Sequence, residues 1–164
     1  FDFRGIWEGR LFIDDYAHHP SEINAAIEIA RLQIKSFNSY LATSNQRLFV
    51  IFQPHRYSRT KEFLKDFALS LEKADSILLA PIYEAGEMPI KNISSQLLAD
   101  CIKSINPKLS VLVAKDFNEI IILLKKYSLP NDLVLTMGAG DINNLWDQLN
   151  NHNENNQCLS QLTA

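Results

Sequence analysis

Two hydrophobic periods alternate along this chain, and that alternation limits its fold more than any other feature. Four short, almost wholly apolar runs, Leu48–Phe52, Ile77–Ala80, Leu109–Val113 and Leu133–Met137, are separated by longer segments of helical period. A continuous apolar run of this length suits a strand covered on both faces, whereas a ~3.6-residue period suits a helix that buries one stripe. Ile23, Ala26, Ile27, Ala30 and Ile34 form such a stripe, with Pro20 at the first helical position and Glu22 in the first turn. Phe63, Leu64, Phe67, Ala68 and Leu71 form the next. Leu97, Leu98, Cys101, Ile102 and Ile105 follow, with Ser94 or Ser95 as cap. Asp116 and Glu119 make a capping-box-like pair ahead of Ile120, Leu123, Leu124 and Tyr127. Ile142, Leu145, Trp146 and Leu149 complete the series behind Asp141 as N-cap. At the front, Arg4–Glu8 and Arg10–Asp14 flank Gly9 as a hairpin would.

Regular strand–helix alternation implies right-handed crossovers and a largely parallel sheet. The expected fold is α/β, a Rossmann-like three-layer domain. Its mostly parallel six-stranded sheet would have one antiparallel strand at the N-terminal hairpin and fill residues 1–149. Residues 150–164, rich in Asn and Gln, read as a polar, disordered tail. No internal repeat or linker divides the chain.

In such a sheet, ligands bind beyond the carboxyl ends of the strands. The unusual polar segments all follow predicted strands: Asp14–Pro20, Gln53–Thr60, Tyr83–Glu87 and Gly138–Asp141. They should converge on one rim. Arg56 and Arg59, three apart as the chain enters a helix, can face the same way and clamp a carboxylate or phosphate, or be an ordinary surface pair neutralised by Glu62 or Asp66. Asp15 offers an acceptor for a ribose hydroxyl, Tyr16 a face for a base, and His18 an imidazole for a phosphate or an incoming amine. Asp14, Asp15, His18 and His19 also suit a metal, but the further His/Asp clusters of a metal hydrolase are missing. His19 beside Pro20 reads more simply as the residue leading into a helix. Gly138-Ala139-Gly140-Asp141 can cradle a phosphate, yet a tight turn needs glycines in any case. Glu84 and Glu87 can line the site or be solvated.

The 164 residues suffice for one domain with a real core, and 46% of them are apolar. A net charge of −3 leaves no broad basic footprint for nucleic acid. No apolar run approaches the ~18 residues of a membrane span, and no signal peptide opens the chain. Cys101 and Cys158 lie far apart without C-x-x-C spacing, and Cys101 reads as a reduced core residue. A cytoplasmic setting is the expectation. The opening Phe1, without Met and already alternating like a strand, reads as an excision from a longer protein. The G-x-x-x-x-G-K-[ST] pattern is absent, so the chain has no P-loop of its own.

Phe3-Arg4-Gly5 followed by Ile13–Glu22 resembles the opening of the C-terminal domain of Mur ligases. Phe52-Gln53-Pro54-His55-Arg56-Tyr57-Ser58-Arg59-Thr60 is similar to the alanine-adding branch, and Ile82–Glu87 and Gly138–Ile142 recur in family order. The resemblance covers about Phe1–Leu149. The Asp14–Pro20 motif alone also fits the murein-peptide recycling branch. The resemblance implies a three-domain ligase of peptidoglycan synthesis, whose first two domains would bind the UDP-sugar and, by P-loop, ATP with Mg2+. That enzyme would join L-alanine to UDP-N-acetylmuramate through an acyl phosphate. His55, Arg56 and Arg59, with Tyr16 and His18, would hold L-alanine. Asp15, Tyr16 and His18 would close over ATP, and His18 would be catalytic. No metal or tightly held cofactor is expected here, and the isolated domain should be inactive. A free-standing nucleotide- or anion-binding module is the rival from another class.

Overall fold

The computed structural model describes residues 1–40 and 45–151. β1 (Asp2–Trp7) and β2 (Arg10–Asp15) form a hairpin, followed by α1 (Pro20–Tyr40), β3 (Leu48–Phe52), α2 (Tyr57–Glu62) and α3 (Leu64–Leu71). Then come β4 (Ser76–Leu79), α4 (Ser95–Ile105), β5 (Ser110–Val113), α5 (Phe117–Tyr127) and β6 (Leu133–Met137). A 3-10 turn, Asp141–Asn144, continues as helical residues 145–151. The six strands lie in the order β1-β2-β6-β3-β4-β5. Only β1–β2 is antiparallel. The expected architecture is therefore the observed one.

Strand alternation divides the core in two. Val50, Phe52, Leu133 and Leu135 face α1, α3 and α4, whereas Phe49, Ile51, Val134 and Leu78 face α5 and residues 142–149. Every residue of β3, β4 and β6 is buried, as their mainly apolar runs demand, Ser76 and Thr136 included. Glu8 and Gly9 both take positive φ, 46° and 79°, as a two-residue turn of primed type requires. Ser94 Oγ accepts from Leu97 N at 3.2 Å. Asp116 accepts from Glu119 N at 2.8 Å, while the Glu119 carboxylate reaches back to Lys115 N at 2.7 Å.

Three details differ from the sequence expectation. β5 is not covered on both faces: as an edge strand it leaves Ser110 exposed and Leu112 and Val113 half-buried. The second helix is two, broken at Phe63 (φ −104°, ψ 19°), whose ring docks on His19 and Phe67 at centroid distances of 5.0 and 6.2 Å. Asp141 is not the cap of the last helix. Gly140 holds that place and Asp141 is the first helical residue. The last helix passes Leu149 to residue 151, and the rest of the expected tail, Cys158 included, lies outside the described residues. Cys101 is half-buried against the first core cluster. Among the described residues no helix is long and apolar enough to cross a membrane.

Leu135, wholly buried in β6, and Ile122, 62% exposed on α5, test this partition. Leu135→Ala is expected to cost about 2–5 kcal/mol by urea denaturation, and Ile122→Ala to stay within about 0.5 kcal/mol.

Candidate functional site

The parallel register aligns four strand ends. Asp15 pairs with Met137, Met137 with Phe52, and Phe52 with Leu79. Every loop that follows one of these residues starts from the same rim. The chain leaves β2, β3 and β4 for helices on one face, but leaves β6 for the helix on the other, so a topological switch flanks β6 on each side. A cleft opens at each. One, of about 140 Å³, includes Asp15, Tyr16, Gly138 and Asn143, and the other, of about 470 Å³, includes Gln53, Tyr83, Glu84, Phe117 and Asp141. A larger hollow, of about 660 Å³, lies at the opposite rim around Arg31, Arg47 and Asp75. Its guanidiniums are already spent on Arg31–Asp75 and Arg47–Asp132 ion pairs of 2.7 and 2.6 Å.

Four rings cross the functional rim in a row. Tyr16 meets His18 at 5.2 Å between centroids, His18 meets His55 edge-on at 5.9 Å, and His55 stacks on Tyr83 at 5.5 Å. The Asp15–His18 and His55–Arg59 segments therefore do come together. Asp15 Oδ1 accepts from Ala17 N at 2.8 Å and so shapes the first loop, leaving Tyr16 70% exposed. His55 is set by a lone bridge to Tyr83, with Arg56 N donating to Tyr83 O and Tyr83 N donating to Pro54 O, both at 2.8 Å.

Arg56 and Arg59 reach this place differently from the helical expectation. Arg56 precedes α2 with φ 68° and ψ 139°, so helical spacing does not align it with Arg59. What unites them is His55: burial first, then Arg59, His18 and Arg56, hold the His55 pKa below the ordinary imidazole value. Neither Glu62 nor Asp66 neutralises the pair, and among the described residues no carboxylate lies within ion-pair distance of either guanidinium. Arg59 Nη1 and His55 Nδ1 are buried without a hydrogen-bond partner.

Gln53, to which sequence reasoning assigns no role, builds the scaffold with Gly140, Glu84 and Glu87. Gln53, buried, donates Nε2 to Asp141 Oδ1 at 2.6 Å and accepts from Ile142 N at 3.1 Å. A Cβ on Gly140 would lie 2.4 Å from Gln53 Oε1 and 2.5 Å from Tyr83 Cγ. Gly138–Asp141 is thus a packing element behind Tyr83 and His55. Glu87 accepts from Ser58 Oγ and Ser58 N at 2.6 and 3.0 Å, bonds that hold its pKa low and seat it at the start of α2. Glu84 takes the Tyr57 hydroxyl at 3.3 Å. A polar loop carrying both an aromatic and two acids was the only sequence signal for these roles.

Residues 1–140 match the family model described as "Mur ligase, glutamate ligase domain". The chain belongs to the Mur ligase family. Over 164 residues it is 52% identical to the UDP-N-acetylmuramate–L-alanine ligase of Prochlorococcus marinus (strain MIT 9303), covering 100% of this chain and 34% of that protein. The enzyme of the same name from Synechococcus sp. (strain CC9311) is 54% identical over 149 residues, 91% of this chain and 31% of that protein. The chain thus spans about a third of the length of these relatives. The crystal structure of UDP-N-acetylmuramate–alanine ligase from Thermotoga maritima superposes with a TM-score of 0.59 at 25% identity, over 90% of this chain and 27% of that one. A murein peptide ligase from Psychrobacter arcticus gives 0.67 at 20% identity, over 90% and 28%, which speaks for the fold.

Within this Mur ligase domain the remaining polar candidates are structural. Asp14 is held by Arg4 at 2.9 Å and Thr136 at 2.6 Å. His19 bonds Ser21 Oγ at 2.8 Å and packs on Phe63, outside the ring row. Among the described residues no group of three or more His, Cys, Asp or Glu is placed to hold a metal. The left-handed backbone of Arg56 is strained for a residue with a Cβ. Arg56→Gly and Arg56→Ala both delete the guanidinium, so their difference isolates that strain. Denaturation of this chain should find the glycine variant more stable by about 1 kcal/mol, the reverse of an unstrained site.

Proposed function

We propose that this chain is the C-terminal, amino-acid-binding domain of an ATP-dependent ligase that joins L-alanine to UDP-N-acetylmuramate. The product would serve peptidoglycan synthesis in the cytoplasm, and the preceding domains would hold the UDP-sugar and ATP. One observation carries the reading. Among the described residues three buried side-chain nitrogens lack a partner, and two of them, Arg59 Nη1 and His55 Nδ1, share this rim. An unmet buried polar nitrogen costs about 1–3 kcal/mol, and a binding site is one place where a fold keeps such a group for a ligand to satisfy. The carboxylate of an amino acid accepts from both nitrogens while the exposed Arg56 closes over it. Alanine's methyl adds only about 0.8 kcal/mol on burial, so the carboxylate clamp dominates binding.

ATP would turn the muramyl carboxylate into an acyl phosphate, and the clamped alanine would present its amine to that carbon. Tyr16 and His18 border the clamp, and the exposed Tyr16 ring suits stacking on the adenine as the domain closes. Asp15, spent in part on its own loop, keeps acceptor capacity for the ribose. Mg2+ does not fit here: the chain has neither a P-loop pattern nor, among the described residues, a metal-holding cluster. It would supply charge neutralisation on the central domain.

Two measurements test this. In the complete enzyme, Arg59→Ala is expected to raise the alanine KM about ten- to hundredfold, the loss of one or two charge-assisted bonds, with acyl-phosphate formation retained. An unchanged KM removes Arg59 from the clamp. Calorimetric titration of the isolated chain with ATP should show weak binding at most, whereas tight binding would favour a free-standing nucleotide module.

A further inference from the structure

His18 arrives at the rim with one ring nitrogen engaged and the other open, and its neighbours decide which is protonated. Nδ1 lies 3.0 Å from the Tyr16 carbonyl oxygen and 3.4 Å from Glu22 Oε2. Both are acceptors, so Nδ1 carries the proton and the neutral ring turns a lone pair outward at Nε2. Among the described residues Nε2 has no hydrogen-bond partner. Glu22 is held in place as firmly: its Oε2 accepts from His18 N at 3.0 Å and His19 N at 3.1 Å, and these bonds keep its pKa below the usual carboxylate value. The other charged groups near His18 are Asp15 in its own loop and His55 opposite, backed by Arg56 and Arg59.

We propose that His18 accepts the proton of the incoming amine at Nε2, and that Glu22 is the positioning residue that fixes its tautomer and faces the imidazolium it becomes. The inference rests on the ligase reading above. An α-amino group is two bonds from its carboxylate carbon, so a carboxylate held on His55 brings the amine beside the neighbouring ring, His18. The amino acid arrives as an ammonium at neutral pH. One proton passes to Nε2, and the freed lone pair forms the C–N bond to the acyl carbon. The C–O bond to phosphate then breaks, its electron pair leaving with the phosphate, which takes the second amine proton. His18 later returns its proton to solvent. His55 is the poorer acceptor for this proton, because burial and the nearby Arg59 and Arg56 disfavour a charge on its ring.

The test uses the complete enzyme in single turnovers, comparing alanine with hydroxylamine, an amine already neutral at pH 7, as the group that captures the acyl phosphate. His18→Gln should slow alanine ligation about 100-fold, within the usual range for loss of a general base, with alanine KM changed less than about threefold. The rate should recover about tenfold per pH unit as solution deprotonates the amine, and hydroxylamine capture should match wild type. Glu22→Gln keeps an acceptor for the two backbone N–H groups, so thermal stability should hold while alanine ligation falls about tenfold and the acidic limb of its pH–rate profile moves. Equal losses with both amines, or a change in KM alone, would overturn the proposal. So would unchanged alanine ligation in His18→Gln with acyl phosphate forming normally, which leaves the ligase reading standing. Absence of acyl phosphate in the wild type would instead overturn that reading, and this inference with it.

Discussion

Everything at the rim depends on the in-register parallel pairing of β2, β6, β3 and β4. β6 is buried along its whole length between β2 and β3, and its residue Met137 stands level with both Asp15 and Phe52. Side chains alternate between two cores, so a slip of one residue would turn Leu133, Leu135 and Met137 out of one and Val134 out of the other. That penalty fixes the register, and the register fixes where each loop begins. His18 and His55 face each other because the strands that end ahead of them finish at the same height.

Charge is distributed at this rim to leave cations unanswered. The nearby carboxylates are occupied elsewhere: Glu87 on the start of α2, Glu84 on Tyr57, Asp141 on Gln53, Asp14 on Arg4 and Thr136. Each shapes a loop without pairing Arg56 or Arg59. At the opposite rim the same residue types do the reverse, and Arg31 and Arg47 are closed by Asp75 and Asp132. The rim that carries Arg56 and Arg59 therefore matters more than the larger hollow, because an anion against these guanidiniums replaces no existing ion pair.

Much of this was legible in the sequence, and the failures share a cause. β3 and β6 were read to the residue because their apolar runs end abruptly at polar neighbours. The convergence of Asp15, Tyr16, His18, His55 and Arg59 followed from topology alone. An apolar run does not report how many strands flank it, so the edge position of β5 was hidden. The break at Phe63 has no Gly or Pro to announce it, since a ring docking on His19 makes it. Arg56 is not a residue type that signals positive φ. Gln53 answers to a partner 88 positions away, and local pattern carries no trace of such a bond.

The strain at Arg56 and the ring row are two parts of one arrangement. Arg56 N is tied to Tyr83 O, and Arg56 O receives both Thr60 N and Thr60 Oγ1. The residue is thus held between a strand-like bridge and the first turn of α2, and it joins them with a positive φ. Relaxing the backbone would break either the bridge that sets His55 on Tyr83 or the turn that carries Arg59. Strain of about 1–3 kcal/mol is small beside that loss. The same contacts that impose the strain hold an imidazole and a guanidinium with nitrogens turned inward and unpaired, the pair on which the proposed carboxylate clamp rests.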